Sequence, residues 1–301
     1  MSPPSPVLIF SPSGAVASSA ALELQRLNHP IYLAMRDPSK PLPGLSTSIP
    51  RLQADLSELP SLTRAVQESG ATTAFLYTIW SSSDHMASTF STLQSAGITF
   101  IVLLSSFTVR GDQGQDTDMS QHINAVHART EAALAASGVP YVAARPAYFN
   151  SNVLANKAEI KAGKVGLVYP DVPFDFIAPS DVGVVCARLL TSPPPQERHV
   201  YLCGPEMVTQ RRAHEEVIAK ALGTRVEIVE LGEEAWFEKM EGWPRGMVES
   251  VVQGLRETSQ GKKEAYPEWM YGPAVENVRR LKGSEPMGLG EWVEKNREVF
   301  E

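Results

Sequence analysis

Short apolar runs alternate with amphipathic helical patterns through the first half of this chain. The run Phe100–Leu104 is apolar at every position, which is typical of a parallel strand covered on both faces. Repeated strand–helix units of this kind predict a doubly wound α/β fold, whose ligands bind beyond the carboxyl ends of the strands. We expect strands at Val7–Phe10, Ile31–Met35, Arg51–Gln53, Ala74–Thr78, Phe100–Leu104 and Tyr141–Ala144, and helices near Ala15–Leu27, Leu59–Glu68, His85–Ala96 and Met119–Ser137.

The alternation becomes irregular after Pro146, which predicts a doubly wound domain over residues 1–150 and a smaller α+β lobe over 151–301 that returns strands to the main sheet. Pro193–Pro195 predicts an exposed loop. The segment Trp243–Tyr271 is rich in large apolar side chains, and either caps the carboxyl edge of the sheet or packs inside the small lobe. The expected elements are strands at Val165–Tyr169, Phe174–Ile177, His199–Cys203 and Arg225–Val229, and helices at Ser180–Leu190, Gln210–Leu222, Glu233–Glu241 and Leu289–Phe300.

Composition narrows the class of protein. Of the 301 residues, 43% are hydrophobic, and the net charge of −7 argues against nucleic acid and anionic membrane surfaces as partners. No apolar stretch reaches the roughly 18 residues of a membrane span, and Met1–Pro6 lacks the features of a secretory signal, so a cytoplasmic location is expected. Cys186 and Cys203 fall in apolar stretches and are predicted to be buried thiols. No metal-ligand spacing is visible, and we expect no metal.

The most informative motif is the polar turn after the first predicted strand. Ser11-x-x-Gly14-x-x-Ala17 replaces the Gly-x-x-Gly-x-x-Gly spacing of a dinucleotide-binding turn, in which backbone N–H groups and a helix N-terminus hold the pyrophosphate. Gly14 keeps the position where the backbone approaches the phosphate, whereas Ser11 places a side chain in the tightest part of the turn and is expected to weaken it. The predicted cofactor-binding residues of the turn are Ser11, Ser13, Gly14, Ala15 and Val16.

Several short motifs, taken in order, resemble the NmrA-like branch of the atypical short-chain dehydrogenases/reductases over essentially the whole chain. They are the Ser11–Ala17 turn, Met35–Pro38, Ala54–Leu56, Leu104–Ser106, His127 with Glu131, Ala144–Asn150, Phe176–Gly183, Tyr201–Glu206 and Trp292–Asn296. The final forty residues look most like fungal reductases of the festuclavine dehydrogenase type. The resemblance implies a Rossmann-like domain that binds NADP(H).

Family resemblance also assigns the adenosine end of the cofactor site. Arg36 follows the second strand, where a guanidinium suits the 2′-phosphate of NADP(H), although Asp37 could compete for it. Asp55 and Leu56 resemble the pair beside the adenine, and Asp55 could equally cap the following helix. Thr78 and Ile79 end the fourth strand and are predicted to border the ribose and pyrophosphate.

The catalytic Tyr-x-x-x-Lys pair of ordinary short-chain dehydrogenases is missing. Alignment on Glu131 places His127 at the lysine position and Ile123 at the tyrosine position. His127 is expected to contact the cofactor ribose or to move a proton near neutral pH, or else to be a structural helix residue. Ser105, after the fifth strand, is expected to orient a substrate and to border the cofactor.

The loop after the sixth strand is where this family passes the nicotinamide. Ala147, Tyr148 and Phe149 are therefore predicted to border it, with Tyr148 as a candidate catalytic residue; alternatively, the two aromatic rings only anchor the next helix. A flat, mostly apolar small molecule suits such walls. The predicted substrate-binding residues are Trp80, Phe107, Tyr148, Asn152, Trp236 and Met247.

These residues predict an oxidoreductase that uses NADP(H) to reduce an iminium or conjugated carbonyl of a small molecule, of the kind found in fungal alkaloid or other secondary metabolism. An iminium already carries positive charge, so its reduction needs no tyrosine acid. Two alternatives remain open at this stage: an isomerase or cyclase in the same cleft, and an NADP-sensing regulatory protein. The sequence leaves the oligomeric state open.

Overall fold

The computed structural model describes residues 4–193 and 197–301, so the loop predicted at Pro193–Pro195 lies largely outside the described residues. The strands are β1 (Val7–Phe10), β2 (Ile31–Met35), β3 (Arg51–Gln53), β4 (Thr73–Tyr77), β5 (Phe100–Leu104), β6 (Tyr141–Pro146), β7 (Lys164–Leu167), β8 (Pro173–Phe174), β9 (His199–Leu202), β10 (Val208–Thr209) and β11 (Glu227–Glu230). Seven of them form one parallel sheet in the order β3-β2-β1-β4-β5-β6-β9, which confirms the doubly wound Rossmann-like fold.

Helices cover both faces of this sheet. They are α1 (Ala15–Arg26), α2 (Leu59–Ser69), α3 (Ala87–Ala96), α4 (His122–Ser137), α5 (Lys157–Ala162), α6 (Pro179–Thr191), α7 (Gln210–Arg212), α8 (Ala219–Leu222), α9 (Glu233–Lys239), α10 (Arg245–Ser259), α11 (Glu268–Lys282), α12 (Leu289–Lys295) and α13 (Arg297–Phe300). One core lies between the sheet and α1, α6 and α11, and a second lies between the sheet and α2, α3 and α4.

The packing of α1 against α6 depends on a small residue. A Cβ atom at Gly183 of α6 would lie 2.4 Å from Cβ of Ser19 and 2.7 Å from the carbonyl oxygen of Val16. Glycine therefore allows the two helices to cross at backbone contact. Cys186, on the same helix, and Cys203 are buried free thiols, as predicted. Within residues 4–193 and 197–301, the structure contains no helix that is both long and apolar enough to cross a membrane.

The second half of the chain contributes both to the main sheet and to a separate lobe. β9 extends the sheet beside β6, and α6 covers one of its faces, so residues after 150 contribute to the main sheet. The remaining strands form two small sheets, β7–β11 and β8–β10, packed with α8, α12 and α13 in a third core. The division of the chain at residue 150 thus follows the cores only in part.

Several expected elements differ in the structure. The helix expected from Met119 begins at His122, because the preceding residues form turns in which Asp118 accepts the backbone N–H of Ser120. The helix expected over 210–222 contains a π-helical turn at Ala213–Ile218, and the last helix is divided at Asn296. The segment Trp243–Tyr271 contains α10 and the start of α11, neither of which was predicted.

The strand expected at Phe174–Ile177 was also wrong, since only Pro173–Phe174 pairs as a strand. Phe176 adopts a positive φ of 46°, which breaks the extended geometry. The side chain of Asp175 points into the protein at this bend, with consequences for the site described below.

Candidate active site

The carboxyl ends of the parallel strands bring the predicted residues to one edge of the sheet. Ser11, Arg36, Thr78, Ser105 and Ala147 directly follow β1, β2, β4, β5 and β6. The strand order reverses between β1 and β4, and such a switch point opens a crevice in which α/β proteins bind ligands. The cofactor site predicted from the sequence is thus assembled from five separate loops.

The turn after β1 has the backbone shape of a phosphate-binding turn. Ser11 adopts a φ of +56°, and its carbonyl oxygen accepts the backbone N–H of Gly14 at 2.9 Å. This φ is one that glycine reaches without strain and serine does not, as expected from the sequence. Gly14 then caps α1, whose first backbone N–H groups have no partner within the helix. Ser13, Gly14 and Ala15 are exposed here, whereas Val16 is buried.

The fold itself does not require a glycine at position 14. Its φ of −77° is open to any residue, and a Cβ atom there would meet only the Ser11 carbonyl oxygen, at 3.4 Å. The missing side chain instead leaves the mouth of the turn open, which fits the close approach of a pyrophosphate. Ala17, in place of the third glycine, is buried against the sheet without disturbing α1.

Arg36, predicted to hold the adenosine end of the cofactor, is free to bind an anion. Its side chain is exposed and makes no hydrogen bond or ion pair within the described parts of the chain. Asp37 does not compete for it, because its carboxylate accepts the backbone N–H and the hydroxyl of Ser39 at 2.9 and 2.6 Å. These bonds hold the pKa of the Asp37 carboxyl below its ordinary value.

Asp55 forms the same kind of turn after β3. Its carboxylate accepts the hydroxyl and the backbone N–H of Ser57, and these bonds, with a smaller effect from the nearby Arg36 charge, hold its pKa below the ordinary value. It caps this turn rather than helix α2, whose N-cap is Glu58. Leu56 is buried in the sheet core, which leaves it no exposed surface for the adenine.

The side chain of His127, on α4, lies beside Thr78 and Trp80 at the carboxyl end of β4. Its Nδ1 lies 3.1 Å from the hydroxyl of Thr78, and its ring meets the half-exposed ring of Trp80 edge-on, with 5.5 Å between centroids. Burial lowers its pKa to about 4. The expectation that His127 titrates near physiological pH was therefore wrong, since this imidazole is neutral there. The His122 ring also lies near Trp80, with 6.0 Å between ring centroids, and forms no hydrogen bond with His127 within the described residues.

The hydroxyl of Ser105 is hydrogen-bonded to a buried ion pair. Its hydroxyl donates to Oε1 of Glu131 at 2.5 Å, and Glu131 binds Arg145 through two parallel hydrogen bonds of 3.0 and 2.6 Å. Arg145 and Glu131 are 0% and 1% exposed. The expectation that the Ser105 hydroxyl orients a substrate is corrected here, because its proton already has a buried acceptor. The hydrogen bonds among Ser105, Glu131 and Arg145 instead connect the end of β5, α4 and β6 beneath the site.

The loop after β6 forms one wall of the cleft. Tyr148 packs its ring against Phe174 and Phe176, at centroid distances of 4.1 and 5.4 Å, and its hydroxyl interacts with the side chain of Asn152. Burial raises the pKa of Tyr148 to about 12, so its hydroxyl stays protonated at neutral pH. Phe149 packs partly against the sheet core and bridges to Ile177. Tyr148 and Asn152, which the sequence predicted separately as substrate-binding residues, thus lie close together.

Phe107 lies on the opposite side of this loop. Its backbone N–H donates to the carbonyl of Pro146 at 3.0 Å, and its ring stacks on Tyr266, with 5.3 Å between centroids. Trp236 is placed elsewhere, in the small-lobe core beside Phe174 and Val172, and Lys239 lies over its ring. Met247 is half-buried in the first turn of α10. The structure does not bring Trp236 to the Trp80 side of the cleft.

Sequence reasoning missed Asp175. This carboxylate is 1% exposed and accepts three hydrogen bonds, from the backbone N–H groups of Tyr148 and Gly204 and from the hydroxyl of Tyr266. Burial raises its pKa to about 6 despite these donors. A signal was present in the sequence, because an aspartate between Phe174 and Phe176 interrupts an otherwise apolar run.

Fold and site together define a dinucleotide-binding α/β protein. Residues 13–193 match the NAD(P)H-binding family, and the chain belongs to that family, in its NmrA-like branch. This confirms the predicted family and the cofactor, to the level of NAD(P)H.

Three similar proteins span nearly the full chain. The "Nitrogen metabolite regulation-like protein bik4" of Gibberella fujikuroi is 30% identical, over 97% of this chain and 96% of its own length. The "(4-alkanoyl-5-oxo-2,5-dihydrofuran-3-yl)methyl phosphate reductase" of Streptomyces griseus is 26% identical, over 98% and 99%. The NADPH-dependent quinone oxidoreductase QOR2 of Escherichia coli, solved with NADPH, shares the fold with a TM-score of 0.74 and 22% identity, over 96% of this chain and 99% of that one.

Proposed function

We propose that this protein is an NADP(H)-dependent reductase of a flat, mostly apolar molecule with an electrophilic carbon. The observation that carries the proposal is the unpaired Arg36 guanidinium at the end of β2, in a crevice whose Gly14 turn leaves room for a pyrophosphate. A guanidinium without a carboxylate partner matches a phosphate, whereas a ribose 2′-hydroxyl is better matched by an acid. Two similar proteins are named as reductases or oxidoreductases, which supports the reaction type.

Bound nicotinamide would supply a hydride, and the chain's own residues would place the acceptor. Gly14 and the first turn of α1 hold the pyrophosphate, and Arg36 holds the 2′-phosphate. Thr78 has a single hydroxyl proton to donate, and its Oγ1 lies 3.4 Å from the carbonyl oxygen of Leu104. When the proton is donated there, the Thr78 oxygen accepts from Nδ1–H of His127, so that Nε2 remains an acceptor for a ribose or substrate hydroxyl.

Neutral His127 orients groups in this scheme and does not act as the acid. Reduction of a conjugated carbonyl also requires a proton, and Tyr148 has a hydroxyl that stays protonated at neutral pH. An iminium requires no proton, because hydride addition neutralises its charge. The rings of Trp80, Phe107 and Tyr148 supply apolar walls and suit a neutral or delocalised planar molecule. A fungal alkaloid as substrate stays a prediction from the sequence.

The experiment follows a deuterium label from NADPH. NADPH deuterated at the transferred position is incubated with the protein and, separately, with 2-cyclohexenone and an N-methyl dihydroisoquinolinium salt, and products are analysed by mass spectrometry. We expect one deuterium on carbon in at least one product, and less product with Arg36→Ala at limiting NADPH. Rearranged, unlabelled product without NADPH consumption would instead support the isomerase alternative.

A regulatory role is the second candidate, because the Gibberella relative carries a regulation-like name. Such a protein would bind NADP(H) without turning it over. NADPH binding by fluorescence, with no label transfer to any acceptor and with a protein co-purifying only in the presence of NADP(H), would favour this candidate over the reductase.

A further inference from the structure

A buried carboxylate joins three segments of the cleft wall. Asp175 accepts the backbone N–H of Tyr148 at 2.9 Å, the backbone N–H of Gly204 at 2.8 Å and the hydroxyl of Tyr266 at 2.8 Å. These donors come from the loop after β6, the loop after β9 and the segment before α11. Within the described residues, no lysine or arginine forms an ion pair with Asp175, so neutral donors alone stabilise its charge.

The backbone around Asp175 has no room to rearrange. A Cβ atom at Gly204 would lie 2.0 Å from the carbonyl oxygen of Asp175, so the two chain segments are in direct contact. Tyr271 donates its hydroxyl to the carbonyl of Gly204 at 3.3 Å and closes the same cluster from α11. The carboxylate is therefore fixed relative to the main sheet, and a group bonded to it takes a defined position.

Tyr266 is the one side chain held by Asp175 that also reaches the cleft wall. Its hydroxyl lies inside, on the carboxylate, while its half-buried ring stacks on Phe107 and packs with Ala147. Phe107 and Ala147 are two of the residues predicted to border substrate and nicotinamide. The segment that carries Tyr266 lies between α10 and α11 and, apart from these contacts, has few buried residues from Gly261 to Trp269.

We propose that Asp175 is a positioning residue that holds the ring of Tyr266 against Phe107 and so shapes one wall of the substrate site. The inference rests on the proposed reductase function for the identity of the ligand. Asp175 touches neither substrate nor cofactor in this scheme. It acts through Tyr266, whose ring is the surface that a planar acceptor meets.

The hydrogen bonds to Asp175 are strongest when its carboxyl is ionised. Its pKa of about 6 places the loss of that charge in weakly acidic solution, where we expect the wall to loosen. The titratable groups that face it are Tyr148, Tyr266, Tyr271 and the thiol of Cys203, whose pKa values are raised by burial first and then by the Asp175 charge. The Arg110 charge lowers the pKa of the Cys203 thiol. The pKa values of these tyrosines and of the thiol all lie well above neutrality, so Asp175 alone changes charge between pH 5 and 7.

The test compares Tyr266→Phe with Tyr271→Phe. Both changes remove one hydroxyl from an aromatic ring of the same cluster, but only Tyr266 donates to Asp175. With the acceptor that the wild-type enzyme reduces, we expect Tyr266→Phe to raise KM about tenfold, the effect of losing a hydrogen bond to a charged group, while kcat stays nearly unchanged. Tyr271→Phe should leave both constants close to wild type.

The dependence of kcat/KM on pH distinguishes a positioning role of Asp175 from a merely structural one. Removing a donor from the ionised carboxyl raises its pKa, so the acidic limb of kcat/KM should move upward by about one pH unit in Tyr266→Phe and stay in place in Tyr271→Phe. Identical profiles and KM values for the two variants would overturn the proposal. Folding is checked by near-UV circular dichroism, and both variants are measured at equal NADPH saturation.

A binding measurement that needs no turnover tests the role of Asp175 separately from the reductase function. Trp243 and Trp269 are exposed as well, so the part of the tryptophan quenching by 1,4-naphthoquinone that Trp80→Phe abolishes is the part that reports occupancy beside Trp80, even in a protein that reduces nothing. We expect weaker quenching for wild type at pH 5 than at pH 7, and weaker quenching for Tyr266→Phe at both. If this quenching pattern is found without NADPH oxidation, the reductase function is refuted and the role of Asp175 is supported. Equal quenching in wild type and Tyr266→Phe would refute the role of Asp175.

Discussion

The hydroxyl of Thr78 lies 3.1 Å from Nδ1 of His127, and this contact joins the end of β4 to the first half of α4. Both residues are almost fully buried, so the imidazole is held in one orientation beneath Trp80. Burial also keeps it neutral. The residue is therefore suited to hydrogen bonding with a ribose or substrate and unsuited to carrying charge through the reaction.

This environment predicts a pH dependence of stability that depends on His127. Its pKa in the folded protein, about 4, lies below the ordinary value of 6.5, so the unfolded chain binds the proton more tightly. Stability is therefore lost as pH falls through that interval. Between pH 6.5 and 5 the loss amounts to about 2 kcal/mol, at 1.36 kcal/mol per pH unit. Asp175, whose pKa is raised to about 6, acts in the opposite direction in both proteins, so the test is their difference: urea unfolding at pH 7 and pH 5 should show a larger loss in wild type than in His127→Gln. Equal losses would contradict the buried, neutral imidazole.

Removing the imidazole should also separate two functional roles. If His127 orients the cofactor ribose, His127→Ala weakens NADPH binding and leaves saturated turnover within a few-fold. A loss of turnover of roughly 10²–10⁴, the range for a positioned acid or base, with unchanged NADPH affinity would instead show that it moves a proton. Rapid-mixing kinetics with NADPH in excess measure both quantities.

Arg36 is predicted to set the preference for NADP(H) over NAD(H). Arg36→Ala should cost about 1.5–3 kcal/mol of NADPH affinity, the range for hydrogen bonds to charged groups, and leave NADH affinity unchanged. Titration against tryptophan fluorescence measures both cofactors. Arg64→Ala, an exposed position on α2, removes the same charge away from the site and serves as the control. Equal binding of the two cofactors by wild type would refute the assignment.

The strained turn at Ser11 gives a test of the phosphate site. Glycine adopts a φ of +56° without the penalty of about 1 kcal/mol that a side chain incurs, so Ser11→Gly should tighten dinucleotide binding or leave it unchanged. Ser11→Ala keeps the strain and removes only the hydroxyl, and should leave affinity near wild type. A marked loss in both variants would show that the hydroxyl itself binds the pyrophosphate.

The Glu131–Arg145 pair is predicted to be a determinant of stability. Glu131→Gln leaves a fully buried guanidinium without its charge partner, which costs about 3–5 kcal/mol of unfolding free energy. Glu131→Gln combined with Arg145→Met removes the orphaned charge and should recover part of this loss. Urea unfolding at pH 7 compares the single and double variants; a single variant as stable as wild type would contradict the prediction.

The repeating pattern of the first 150 residues was sufficient to predict six of the seven strands of the main sheet. Continuous apolar runs such as Val7–Phe10 can be satisfied only inside a covered parallel sheet, so strand positions and the site edge follow from local chemistry. The Ser11–Ala17 turn and Arg36 were identified for the same reason, since their roles depend on the few residues on either side. The helix α10 was missed although its buried Val248, Val252 and Leu255 recur at helical spacing, whereas the pattern of α11 is interrupted by Gly272 and Pro273.

Local sequence determined the elements and the edge at which they meet, whereas long-range packing determined the electrostatics of the site. The depression of the His127 pKa, the engagement of Ser105 by Glu131 and the burial of Asp175 each depend on residues that are distant in the chain. Tyr266 and Asp175 are separated by 91 positions, and no pattern in either segment indicates that they touch. Desolvation and hydrogen bonding act through space, so only the tertiary structure could decide which polar groups are charged, paired or free.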